Sequence, residues 1–134
     1  MILIDAGPLV ALADRHDAHH RQCVEISTIL LKPRITTWPV LTEAAWIMRK
    51  SPQFLLLLLP AFMSGEITIH QPGPEALPWM VEFMERYSNI GAQLADASLM
   101  YVAECEAVDA IFTLDRRDFS IYRTRRNRAL KMVP

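Results

Sequence analysis

The sequence predicts an α/β sandwich built on a mainly parallel central sheet, and three observations lead there. Short aliphatic runs of strand length alternate with helical patterns from one end of the chain to the other. Parallel strands cannot be joined by tight turns and need such helical crossovers between them. The chain is 134 residues long and 51% hydrophobic, with no internal repeat, flexible linker or low-complexity tail, which fits one domain over residues 1–134 that fills its own core.

The elements follow in order. Ile2 to Ile4 is an aliphatic run ended by Asp5-Ala6-Gly7-Pro8, a buried strand that turns into a helix with proline near its start and Leu9, Val10, Leu12 and Ala13 on its apolar face. Ala18 to Leu31 predicts a second helix, with Cys23, Val24, Ile26, Ile29, Leu30 and Leu31 at helical spacing and Pro33 as its stop. Ile35-Thr36-Thr37 reads as a short strand. Pro39 to Arg49 returns to helical periodicity, with Glu43 set among Val40, Leu41, Ala44, Trp46 and Ile47. Ser51-Pro52 can open a further helix that carries Phe54 and Leu55 to Leu59 and ends by Gly65. Glu66 to His70 alternates like a strand, and Pro72-Gly73-Pro74 is the clearest loop in the chain. Glu75 to Arg86 and Ala95 to Ala107 are helical, the latter with Asp96 in its opening turn. Ala110 to Thr113 is a fourth strand, followed by a charged turn, Asp115 to Asp118, a segment rich in tyrosine and arginine, and a last apolar stretch, Ala129 to Val133.

Composition removes several classes of function. Lysine plus arginine number 14 against 15 aspartates and glutamates, so no global basic field draws nucleic acid to the surface, and any RNA contact must be local. The two cysteines, Cys23 and Cys105, are far apart, lack metal-ligand spacing, and are expected to be buried thiols without chemistry in a reducing compartment. The apolar start, Met1 to Ile4, runs straight into Asp5 with no basic lead or small-residue cleavage site. The longest apolar run, Phe54 to Met63, is about half of what spans a bilayer. A cytoplasmic protein without membrane contact is expected.

Four carboxylates interrupt apolar or turn contexts: Asp5 after the first strand, Glu43 inside the third helix, Asp96 in a helix opening and Asp115 after the fourth strand. Each has a local explanation. Asp96 suits the positive end of a helix dipole, and Asp5 and Asp115 suit turns or caps, whereas a partly buried Glu43 calls for a partner. In open parallel sheets functional groups gather beyond the carboxyl ends of the strands, where Asp5 and Asp115 fall. Brought together, four acids would repel one another unless a cation neutralised them, and a set made only of oxygens suits Mg2+ or Mn2+. The chemistry to expect from such a site is phosphodiester hydrolysis.

The segments Ile2-Leu-Ile-Asp5-Ala-Gly-Pro-Leu-Val-Ala-Leu12, Thr37-Trp-Pro-Val-Leu-Thr-Glu43-Ala44, Leu94-Ala-Asp96-Ala-Ser-Leu99 and Ile111-Phe-Thr113-Leu-Asp115-Arg-Arg-Asp118-Phe119 resemble, in order and over nearly the whole chain, the four motifs of PIN-domain ribonucleases. In particular the chain resembles the VapC-like toxins of bacterial and archaeal toxin–antitoxin modules. The resemblance implies a PIN-like three-layer α/β/α sandwich. It implies that Asp5, Glu43, Asp96 and Asp115 are the catalytic, metal-binding acids, and that Thr113 and Asp118 stand where the family keeps supporting polar residues. It also implies a metal-dependent endoribonuclease with a cognate antitoxin as partner.

Other features admit two explanations each. Six of the eleven arginines crowd between residues 116 and 128. Arg116, Arg117 and Arg123 are candidates for contact with RNA phosphates or an acidic antitoxin tail, and otherwise belong to a solvated loop. Tyr101 and Tyr122 could stack on bases or pack in the core. His16, His19 and His20 lack partner acids at ligand spacing and are expected in a polar loop between helices. Leu55 to Leu59 covers every side of a helix, which is either fully internal or turns some leucines to a second surface, as a homodimer or an antitoxin groove would supply. Two rival functions follow from the same acids. One is a non-catalytic PIN-like module that binds RNA or protein. The other is a phosphotransfer domain with an aspartate nucleophile, which the lack of a lysine after any strand disfavours.

Overall fold

The computed structural model describes every residue from Met1 to Pro134. Five strands form one sheet: β1 (Ile2–Ile4), β2 (Arg34–Thr37), β3 (Ile67–His70), β4 (Ala110–Phe112) and β5 (Lys131–Val133). Their order across the sheet is β3-β2-β1-β4-β5 and every pairing is parallel. Seven helices fill the crossovers: α1 (Ala6–Ala13), α2 (His20–Ile29), α3 (Trp38–Ile47), α4 (Phe54–Met63), α5 (Leu77–Arg86), α6 (Leu94–Glu106) and α7 (Arg116–Ile121). This is the predicted α/β sandwich, with a sheet that is parallel throughout.

The hydrophobicity of the central strands accounts for their place. Ile2, Leu3 and Ile4 in β1 and Ile111 and Phe112 in β4 are buried, as strands covered by helices on both faces must be. Leu3 sits in register with Ile35 on one side and Ile111 on the other. α1 packs against α2, α3 and α4, while α5 packs against α6. From β1 the chain steps outward through β2 to β3, then crosses back and adds β4 on the opposite side of β1. The strand order therefore reverses between β1 and β4, which makes the crevice beyond their carboxyl ends the topological switch point of the sheet.

Four local expectations need correction. The charged Asp115–Asp118 segment is the start of a helix rather than a bare turn, because the Asp115 side chain accepts the Asp118 N–H and caps α7. The final apolar stretch contains a strand, β5, three residues long and too short to show a period. α2 begins at His20 and ends at Ile29, and of its apolar residues Cys23 alone is buried, since this helix packs on α1 at the margin of the molecule and leaves Val24 and Ile29 in solvent. Cys23 is a buried thiol as expected, pushed up to about 11 mainly by burial, but Cys105 is exposed at the end of α6. Among the leucines of α4, Leu58 is buried beside Phe54 while Leu55, Leu56, Leu57 and Leu59 face outward. His16 and His19 lie in the polar turn before α2, and His20 bonds the Ala11 carbonyl through Nδ1 at 2.7 Å. No helix is long and apolar enough to cross a membrane.

Candidate active site

Asp5 ends β1 and caps α1. Its Oδ1 accepts the Ala6 N–H at 2.8 Å, and its Oδ2 accepts the Thr113 hydroxyl at 2.9 Å. The same hydroxyl oxygen accepts the Asp115 N–H at 3.0 Å, and Asp115 Oδ1 in turn accepts the Asp118 N–H at 3.0 Å. A fully buried threonine at the end of β4 thus ties the acid after β1 to the acid that opens α7. Glu43 reaches the same place from the middle of α3. That helix is capped by Thr37, whose hydroxyl shares a 2.6 Å hydrogen bond with Ser98 of α6 and fixes the two helices together beyond the end of β2. Asp96 projects from the first turn of α6, where its Oδ2 accepts the hydroxyl of Tyr122 at 2.7 Å.

Asp5, Glu43, Asp96, Asp115 and Asp118 line one open cleft of about 510 Å³, together with Gly7, Gln93, Gly91 and the apolar Ile47, Ile90 and Leu114. All four sequence-predicted acids are therefore brought together at the switch point, with Asp118 beside them and Thr113 beneath.

No lysine, arginine or histidine lines the cleft, and its electrostatics show it. Asp5, only 7% exposed, is raised from an ordinary 3.8 to about 7, chiefly because burial removes it from water, with Asp96 and Glu43 adding repulsion against the hydrogen bonds from Ala6 and Thr113. Glu43 is raised by burial and then by Asp96 and Asp115. Asp96 is raised by burial first, an effect opposed by the Tyr122 hydroxyl and the Gln93 backbone N–H and reinforced by Asp115 and Asp118. Asp118 is raised by its partial desolvation and by Asp115, with Arg117 pulling the other way. No three of these groups converge tightly enough to form a closed, all-protein metal cage. The donor set still fits a hard divalent ion that takes one or two carboxylates directly, keeps several waters and completes its shell with substrate phosphate.

The arginines separate. Arg116 and Arg117 are exposed on the first turn of α7, next to the cleft, and the Arg116 guanidinium bonds the Pro134 carbonyl. Arg123 lies away from the acids, its Nη1 donating to the Ser120 and Tyr122 carbonyls at 2.6 and 2.9 Å in a depression shared with Glu82, Arg86 and Arg125. Tyr122 cannot stack on a base, because it is fully buried among Phe83, Tyr87 and Phe119. Tyr101 packs edge-on against Trp79, with ring centroids 5.5 Å apart. The bond from Tyr122 to Asp96 is the part of the site that sequence reasoning missed. The signal was available in the spacing of Asp115, Asp118 and Tyr122 at i, i+3 and i+7, which share one face once the segment is helical.

An all-parallel sheet in this order, with acids converging at its switch point, defines a PIN-like α/β fold. No family model matches the sequence, and no curated protein is significantly similar to it. Among solved structures the chain is similar to VapC20 of Mycobacterium tuberculosis, described as a Sarcin-Ricin loop cleaving toxin, with a TM-score of 0.80 and 17% identity over 90% of this chain and 94% of that one. It is also similar to VapBC2 from Rickettsia felis bound to a DNA fragment from its promoter, with a TM-score of 0.65 and 16% identity over 100% of both chains. At these identities the likeness is one of fold.

Proposed function

We propose that this chain is a metal-dependent endoribonuclease, working with Mg2+ or Mn2+, and the toxin of a cytoplasmic toxin–antitoxin module that a cognate antitoxin holds inactive. The observation that carries the proposal is the convergence of Asp5, Glu43, Asp96 and Asp115, from four separate segments, on one cleft lined by no basic side chain, at the switch point of this fold. The fold of a toxin that cleaves the Sarcin-Ricin loop supports RNA as the substrate, and the VapBC2 complex supports an antitoxin as partner. A homodimer belongs to the same proposal.

A divalent ion held there would lower the pKa of an attacking water and offset the charge that gathers on the scissile phosphate. The protein supplies the frame. Asp5 has one oxygen fixed by Ala6 and the other by Thr113, so its carboxylate is preset at the cleft wall before any ligand arrives. Asp96 accepts the Tyr122 hydroxyl, and Asp115 is set by its own helix cap. Arg116 and Arg117, exposed beside the acids, are suited to phosphates flanking the cut, and with Arg123 remain candidates for RNA or antitoxin contact.

The test is cleavage of a structured RNA by the full chain with Mg2+ or Mn2+ and with excess EDTA, for wild type and Asp5→Asn. Cleavage that needs the metal and falls at least about 100-fold in the variant is expected, in line with loss of one transition-state contact. Undiminished metal-dependent cleavage by Asp5→Asn would overturn the proposal. RNA binding without cleavage under every condition would favour a non-catalytic module.

A further inference from the structure

We propose that Tyr122 is a positioning residue, whose hydroxyl fixes the direction in which Asp96 presents its carboxylate to the cleft. The inference rests on the metal-site reading above and concerns how that site is held. Tyr122 closes α7, its N–H bonding the Asp118 carbonyl at 3.1 Å, and its ring is completely buried. Three aromatic rings surround it, Phe83 and Tyr87 each at 5.0 Å between centroids and Phe119 at 5.3 Å. Packing on three sides holds the axis of the ring, and the hydroxyl oxygen lies on that axis, so it is a fixed point. From that point it donates to Asp96 Oδ2 at 2.7 Å, a short bond of the charge-assisted kind.

A buried tyrosine hydroxyl needs some partner, and a backbone carbonyl or water would satisfy it. Asp96 has no such need, because it is only partly buried and could be solvated from the cleft. What the bond adds to Asp96 is direction, since one oxygen is held on the core side and the carboxylate plane is set. The second consequence comes from α7 itself. Asp115 caps its start, Asp118 lies one turn on, and Tyr122 is its C-cap. One six-residue helix with its two flanking residues therefore places two acids directly and a third through a hydroxyl, joining α7 to α6 on the core side of the cleft. Outer partners that orient metal ligands typically matter by about 10- to 100-fold in metal affinity.

The experiment compares Mn2+ binding by the full-length wild type, Tyr122→Phe and Tyr87→Phe, followed by calorimetry, with thermal melting of each. Tyr87 is the control because its hydroxyl belongs to the same aromatic cluster but accepts the Arg123 N–H at 3.0 Å and touches no acid. The expected result is a Mn2+ affinity about 10-fold weaker in Tyr122→Phe and unchanged in Tyr87→Phe, although both lose a core hydroxyl. Equal Mn2+ affinity in wild type and Tyr122→Phe would overturn the inference and leave the metal site standing. A parallel loss in both variants would assign the effect to the core and overturn it too, as would a Tyr122→Phe chain that does not fold. A wild type that binds no Mn2+ would remove the metal reading and the inference with it.

Discussion

Asp5→Asn should make the metal-free protein more stable at pH 8 and slightly less stable at pH 5. The folded state holds the Asp5 proton up to about pH 7, whereas the unfolded chain releases it near 3.8. Between those values the folded state binds more protons than the unfolded one, so stability falls as pH rises through the window and levels off above it. A rise from 3.8 to about 7 corresponds to about 4 kcal/mol lost by pH 8. Asparagine carries no charge at either pH. Its amide oxygen can still accept the Ala6 N–H, but its NH2 faces the Thr113 hydroxyl, whose hydrogen must turn elsewhere at about 1 kcal/mol. The net expectation is a gain of about 3 kcal/mol at pH 8, or about 10 °C in melting temperature for a domain of this size. At pH 5 the wild type is already neutral at this position, and the variant should melt about 3 °C lower. Thermal unfolding in excess EDTA at the two pH values measures both numbers. A difference between the two proteins that does not change with pH, or a wild type that is the more stable at pH 8, would refute the account of Asp5 as an acid kept neutral by burial.

Thr113→Val keeps the shape of the side chain but strips Asp5 Oδ2 and the Asp115 N–H of their shared partner. It should cost about 1–3 kcal/mol in urea unfolding, more at pH 8 than at pH 5 because the lost bond favours the charged form of Asp5. Asp115→Ala removes the cap of α7 and should cost about 1 kcal/mol, while Asp115→Asn, a good cap, should leave the melting temperature nearly unchanged. Equal losses in the two Asp115 variants would show that the carboxylate's charge, and not its capping oxygen, holds α7.

The central part of the fold was legible because its signals are strong and local. Ile2–Ile4 and Ala110–Phe112 are apolar runs with turn residues after them, and the acids beyond them stand out against that background. The edges were not legible. β5 is three residues long and owes its existence to pairing with β4, from Ala110 with Lys131 to Phe112 with Val133, a long-range contact that no local pattern encodes. α7 looked like a turn because six residues are too few for a hydrophobic period, although the Asp-x-x-Asp spacing of its cap was in view. The acids of the cleft could be picked out singly by context, but their shared support could not. Thr113 joins Asp5 to Asp115 only because β1 and β4 are neighbours, and Tyr122 reaches Asp96 only because α7 folds back on α6.

The reversal of strand order between β1 and β4 has a consequence for how the protein is made. Leu3 and Ile111 are partners in the sheet although 108 residues separate them in sequence. During synthesis, β1 is made more than a hundred residues before β4 and keeps one edge open until Ala110–Phe112 has been translated. A product released before Ala110 would carry Asp5 without its Thr113 donor and would lack Asp115, Asp118 and Tyr122 altogether. Truncated and nascent chains thus cannot own an assembled cleft, so the cutting activity proposed for this protein would arise only once the last strands have closed.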